Sequence, residues 1–237
     1  MVLEKWTRAG LWVLTRENPH YPAKMKAQLE RKSPPVLVGC GNRQLCNSPA
    51  IAVVGSRDAS EDDLLFTADY GGVIAGGQYS VVSGGARGVD ETAMLGCIES
   101  GGSAIGILAD SLLRASTSSK YREALENDQL VLISPYNPEA RFNVGNAMAR
   151  NRLIYACADA AVVIASGKNK GGTWQGATEA LREDRIPVWI RNTPAGPEGN
   201  LALIKRGGCD LGEAAKPPSD LIRSGESKQV QGSLFGG

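Results

Sequence analysis

Between residues 50 and 191 the chain alternates two hydrophobic patterns. Short apolar runs, unbroken by polar residues on one face, occupy 51–54, 80–82, 103–108, 130–133, 160–164 and 187–190. Runs of this kind mark strands of a parallel sheet buried on both faces. Between them, apolar positions recur with helical spacing over 61–76, 89–100, 120–127, 143–157 and 176–183. Strand followed by helix, repeated about six times, predicts an α/β fold: a Rossmann-like, doubly wound, mostly parallel sheet.

The flanks read differently. Residues 1–48 form a leader packed on that core, with Trp6 and Trp12 among mixed residues and a short helix over 23–31. Ser33-Pro34-Pro35 stops that helix, and 36–38 is a short strand. From 207 the chain is rich in Gly, Pro and Ser, and a flexible tail is expected. The predicted organisation is a leader (1–48), a Rossmann-like domain (49–206) and a tail (207–237).

Composition then narrows the chemistry. The 237 residues, 42% hydrophobic, suffice for one α/β domain with a real core. With 26 basic and 25 acidic residues the net charge is +1, so a site for a polyanion must be a local patch. A single histidine, His20, excludes a multi-histidine metal centre. Five scattered cysteines without a CxxC read as buried thiols of a reducing compartment. No apolar run reaches the roughly 18 residues of a membrane span. The first residues are too few and too polar for a secretory signal, so a cytoplasmic protein is expected.

Ligands of open α/β sheets bind beyond the carboxyl ends of the strands, and three motifs fall there. Gly55-Ser56-Arg57 follows the first central strand: a tight turn, a hydroxyl and a fork-shaped anion donor. Ser83-Gly84-Gly85-Ala86-Arg87-Gly88-Val89-Asp90 is a bare-backbone loop opening a helix, the arrangement that binds phosphate. Asp90 alternatively caps that helix. The loop is neither a dinucleotide fingerprint nor a Walker loop, and no cofactor or metal is expected. The third motif is Arg150-Asn151-Arg152 on a helix, followed by Lys170-Gly171-Gly172-Thr173. Between 141 and 191, eight basic residues outnumber four acidic ones, a local +4. Arg150 and Arg152 stand about 200° apart on a helix, so they cannot both face one partner.

Together these residues resemble the DNA-processing protein A (DprA/Smf) family. The resemblance is carried by Tyr21-Pro22, Pro34-Pro35-Val36-Leu37, Val54-Gly55-Ser56-Arg57, the stretch from Val81 to Asp90, and Arg150-Asn151-Arg152-Leu153-Ile154. It implies a Rossmann-like, non-catalytic protein that binds single-stranded DNA and helps load a RecA-type recombinase in natural transformation, as a homodimer. It assigns DNA contacts to Gly55, Ser56, Arg57, the loop from Ser83 to Gly88, Arg150 and Arg152, and the same groove would include Lys170, Gly171, Gly172 and Thr173. The chain departs from the family pattern at Met94, where a histidine is usual. It departs again at Ala147-Met148-Ala149, where Phe-Pro is usual, and at 170–180. No C-terminal winged-helix domain is expected in the remaining length.

Two alternatives share the fold superfamily. The stretch from Gly171 to Leu181 resembles a loop of the lysine-decarboxylase-like LOG proteins, which cleave nucleoside monophosphates. By that resemblance Glu179 would be catalytic with Arg152 beside it. On its own, Glu179 reads first as a solvated carboxylate on a helix. The second alternative is a nucleotide-sensing module of a defence system, binding without turnover. Finally, Gln231-Gly232-Ser233-Leu234-Phe235 resembles the bacterial sliding-clamp binding peptide, with Gln231, Leu234 and Phe235 as its anchors.

Overall fold

The computed structural model describes residues 2–222. Its strands are β1 (Trp12–Thr15), β2 (Val36–Gly41), β3 (Ala50–Val54), β4 (Ser80–Ser83), β5 (Ala104–Ile107), β6 (Leu130–Ser134), β7 (Ala160–Val163), β8 (Val188–Arg191) and β9 (Cys209–Gly212). Its helices are α1 (Val2–Arg8), α2 (Ala23–Leu29), α3 (Glu61–Gly76), α4 (Val89–Glu99), α5 (Leu112–Ser116), α6 (Ser119–Glu126), α7 (Val144–Ala156), α8 (Gly171–Glu183) and α9 (Glu198–Ile204).

The nine strands form one sheet in the order β1-β2-β6-β5-β4-β3-β7-β8-β9. Every residue of the six strands β3, β4, β5, β6, β7 and β8 is buried, which is why those strands are apolar without alternation. Pairing from β6 through to β9 is parallel, and β1 and β2 run antiparallel at one edge. The chain builds outward from β3 to β6, then returns to lay β7 on the other side of β3. The reversal leaves a crevice between the carboxyl ends of β3 and β7, the place where such sheets bind ligands.

The leader is part of this sheet. Leu14 and Leu37 are fully buried in the core on its α2 side. β1 pairs with β2 so that Trp12 stands opposite Gly39, whose missing side chain leaves room for the indole. The Trp12 Nε1–H donates to the Gly41 carbonyl at 3.0 Å. The short helix expected over 23–31 runs as α2 and continues as a 3₁₀ turn to Lys32.

Two expectations need correction. The tail does not loosen at 207. β9 adds to β8, Leu211 and Leu221 are buried, and Trp189 Nε1 donates to the Leu221 carbonyl at 3.0 Å. Tyr70 also donates to the Lys216 carbonyl at 3.0 Å. Two apolar side chains spaced among polar residues supply the anchoring that composition alone hides. The second correction is at α8, which begins at Gly171 rather than 176. Its glycines read as loop, but Trp174, 6% exposed, packs into the core and holds the first turns helical.

α3 is entered through a capping box. The Asp63 amide donates to Ser60 Oγ at 3.1 Å, and the Ser60 amide donates to Asp63 Oδ2 at 3.3 Å. The same Asp63 pairs with Arg191, which also bonds Asp62 at 2.7 Å and lies over the Phe66 ring at 4.5 Å. Arg191, counted above in the basic excess, is therefore a buried structural cation.

Candidate nucleic-acid interface

The crevice at the reversal of the sheet opens into a cleft of about 510 Å³. Its first wall is the turn after β3. The Ser56 amide bonds the Ala165 carbonyl after β7, which ties the two strand ends together at 2.9 Å. Ser56 Oγ accepts the Asp58 amide at 3.1 Å, and Arg57 projects outward. The third motif forms the opposite wall: Lys170, Gly171, Gly172 and Thr173 lead into α8, and Thr173 Oγ1 donates to the Gly55 carbonyl at 2.9 Å.

The glycine loop between β4 and α4 lies behind these walls and is organised around its own aspartate. Asp90, in the first turn of α4, sends its carboxyl back to accept the backbone amides of Gly55, Gly84 and Ala86. Burial pushes that carboxyl above its ordinary value, while nearby Arg150 and the three amides pull the other way. The loop amides expected to cradle a phosphate thus include two, Gly84 and Ala86, already engaged by an internal carboxyl. Ser83 is fully buried and donates to the Val53 carbonyl at 2.6 Å, so its hydroxyl supports the loop. Gly88, at φ +90°, is a backbone shape that favours glycine, and a Cβ there would stand 2.6 Å from the Ser56 carbonyl. Gly85 and Ala86 face a neighbouring depression, where Arg87 is exposed and pairs with Asp58 at 2.9 Å.

The two arginines of the third motif separate, as their helical spacing requires. Arg150 is 4% exposed and bonds the Ile107 carbonyl through Nη1 at 2.8 Å. Its guanidinium lies against Gly84, where any Cβ would overlap it. Burial lowers the Arg150 pKa, and Asp90 opposes that shift. Arg152 points away from the cleft, into a crevice of about 20 Å³ shared with Glu179 and Arg185. That space has room for a water or two, and it brings Arg152 and Glu179 side by side, as the hydrolase alternative expected, but outside the main cleft.

Sequence reasoning missed the apolar rim. Phe142, Val144 and Met148 line the mouth of the cleft with exposures of 51%, 62% and 40%. The Arg57 guanidinium stacks on the Phe142 ring at 4.8 Å. Three large apolar side chains at one opening are a signal for recognition, but in the sequence they pass as the ordinary start of an amphipathic helix. Also missed was the neighbouring depression of about 710 Å³, where Arg114 and Lys120 stand beyond Arg87, with Lys120 paired to Glu91. Met94, where the family pattern has histidine, is fully buried in the core. Gln231, Leu234 and Phe235 lie outside the described residues. Among the described residues no cluster of His, Cys, Asp and Glu could hold a metal ion, and no helix is long and apolar enough to cross a membrane.

Fold and cleft define a Rossmann-like α/β protein whose candidate site, the cleft at the switch point of the sheet, is rimmed by cations and apolar side chains. Over residues 12–218 the chain matches the model of the DNA recombination-mediator protein A family, and it belongs to that family. It is 30% identical over 157 residues to the DNA processing protein DprA of Streptococcus pneumoniae, covering 65% of this chain and 54% of that protein. It is 32% identical over 183 residues to a DNA processing protein DprA assigned in Mycobacterium tuberculosis, covering 71% and 46%. The chain therefore spans about half the length of these curated relatives. The fold matches DNA processing protein A of S. pneumoniae with a TM-score of 0.73 at 21% identity, over 86% of this chain and 73% of that one. It also matches the H. pylori protein, whose structure describes its single-stranded DNA binding mode (TM-score 0.71, 21% identity, 94% and 98% covered).

Proposed function

We propose that this chain binds single-stranded DNA along the carboxyl ends of β3, β4 and β5, as a mediator of recombination and DNA processing, without making or breaking a bond in the cleft. One observation carries the reading: the two depressions are contiguous, sharing Arg57, Ala86, Phe142, Ala147 and Arg150. Exposed cations lie along them, from Lys170 through Arg57 and Arg87 to Arg114. Cations track phosphates and apolar faces receive unstacked bases, a combination that tolerates any sequence and suits a single strand better than a duplex. Family membership and the described DNA binding of the H. pylori protein support the same reading.

A RecA-type recombinase as the protein receiving the strand, a homodimer as the working form, the cytoplasm as the location and the clamp peptide at Gln231, Leu234 and Phe235 belong to this proposal. Their support is the family resemblance and the terminal sequence.

The test is a fluorescence-anisotropy titration with a labelled oligo-dT strand at low and near-physiological salt. Binding should weaken steeply with salt. Arg57→Ala and Arg87→Ala should each lower affinity and reduce the slope of log K against log salt by about 0.7, the value of one phosphate contact on a single strand. No binding at low salt would reject the reading.

A further inference from the structure

The positive charge of the chain is concentrated in its leader. Residues 1–48 hold eight basic and three acidic residues, whereas the remaining 189 hold 18 basic and 22 acidic. The groove described above uses none of those eight. Four of them gather at one corner. Arg16 follows β1, Lys26 lies on α2, and Arg31 and Lys32 lie on the 3₁₀ turn before β2. Arg16 Nη2 donates to the carbonyls of Arg31, at 3.2 Å, and of Ser33. Lys26 Nζ donates to the Arg16 carbonyl at 2.7 Å and reaches Glu17 at 3.5 Å. Tyr21 fixes the corner by donating to the Pro34 carbonyl at 2.7 Å. Arg31 and Lys32 are exposed. Among the described residues no salt bridge joins Arg16, Arg31 or Lys32 to a carboxylate.

The sheet puts this corner on the same edge as the groove. Thr15, the last residue of β1, pairs with Val36, the first of β2, and Val38 pairs with Ser134, the last of β6. The end of β1 and the start of β2 therefore stand beyond the carboxyl end of β6. The next strand is β5, where the groove ends near Arg114. Neighbouring strands lie about 4.8 Å apart, so β1 is roughly 14 Å from β5. Arg141 is exposed on the loop that leaves β6, one of the two strands between them. Cations held by carbonyls and left without carboxylates suit a polyanion, and a phosphodiester strand already lying in the groove reaches them by extension along the edge.

We infer that the leader corner is a second phosphate-binding surface for the same single strand, with Arg31 and Lys32 contacting nucleotides that run past the β5 end of the groove. The inference rests on the single-stranded DNA reading and gives the leader a part in binding besides closing the sheet. It makes affinity depend on strand length through residues outside the groove.

The test measures anisotropy with oligo-dT strands of about 6 and about 20 nucleotides, chosen around the roughly 4–16 nucleotides that one sequence-tolerant module covers. Arg31→Ala/Lys32→Ala removes two exposed cations from the corner. Arg182→Ala/Lys205→Ala removes two exposed cations from the ends of α8 and α9, at the opposite edge of the sheet. At 0.1 M salt the corner variant should bind the long strand about fivefold to 25-fold more weakly, one or two contacts at a slope of about 0.7 each, and the short strand within about twofold of wild type. Arg31→Lys/Lys32→Arg keeps the charge and should bind both strands as wild type does. The opposite-edge variant should match wild type on both, and Arg57→Ala should weaken both. Equal urea midpoints exclude misfolding as the cause. Unchanged binding of the long strand by the corner variant overturns the inference and leaves the groove reading standing. Equal losses on both lengths, or the same loss in the opposite-edge variant, also overturn it, because net charge rather than contact then explains the effect. Wild type binding neither strand at low salt rejects the groove reading and the corner with it.

Discussion

At the scale of single residues, the cleft separates into groups that hold its shape and groups that face outward. Ser83, Asp90 and Arg150 are buried and bonded to backbone, whereas Arg57, Arg87 and Lys170 stand in solvent. Asp90 has a measurable consequence. Its native pKa is raised above 3.8, so the native state holds a proton that the unfolded chain has released in the window above 3.8. Stability from this group is therefore greatest at acid pH and falls as pH rises through that window. Urea unfolding across this range should show Asp90→Asn lacking that component of the pH dependence, while wild type retains it. The residue scale also shows which candidate side chains the sequence reveals. Arg57 and Arg87 are legible because charge beside glycine at a strand end has few other uses. Phe142 is not, because an aromatic residue near a helix is usually core, and only three-dimensional placement tells a rim from packing.

At the scale of elements, burial decides what could be read in advance. β3 to β8 are buried throughout and appear in the sequence as apolar runs. The edge strands β1 and β9 each bury one residue of four, Leu14 and Leu211, too weak a pattern to stand out. α3 is legible from the periodicity of 61–76, and its start is fixed by a cap written in side chains. Ser60→Ala removes the acceptor of the Asp63 amide and should cost about 1 kcal/mol of stability, read from the urea midpoint. α8 was legible only in its second half, since the glycines of its first turn carry no helical preference of their own. The same helix carries Glu179 away from the cleft lining. It lies about two turns after Thr173 and lines the small crevice beside Arg152.

At the scale of the whole molecule, segments from both ends of the described chain finish one sheet. The leader closes the β6 edge, and the segment through Leu221 covers Trp189 and Tyr70 on the far side. Leu221→Ala should destabilise the protein by about 2–5 kcal/mol, measured by urea unfolding, although 221 lies in sequence that looks like tail. The candidate face is thus mounted on a frame braced at both margins. The glycine loop, already filled by Asp90, sets how this face meets the crowded solution around it. Free nucleoside triphosphates seek bare amides at a helix start, and here an aspartate holds that position. The Gly84 and Ala86 amides are therefore closed to the phosphates of the nucleotide pool. On the proposed reading, occupancy of the groove falls to a ligand that engages several of its cations in succession.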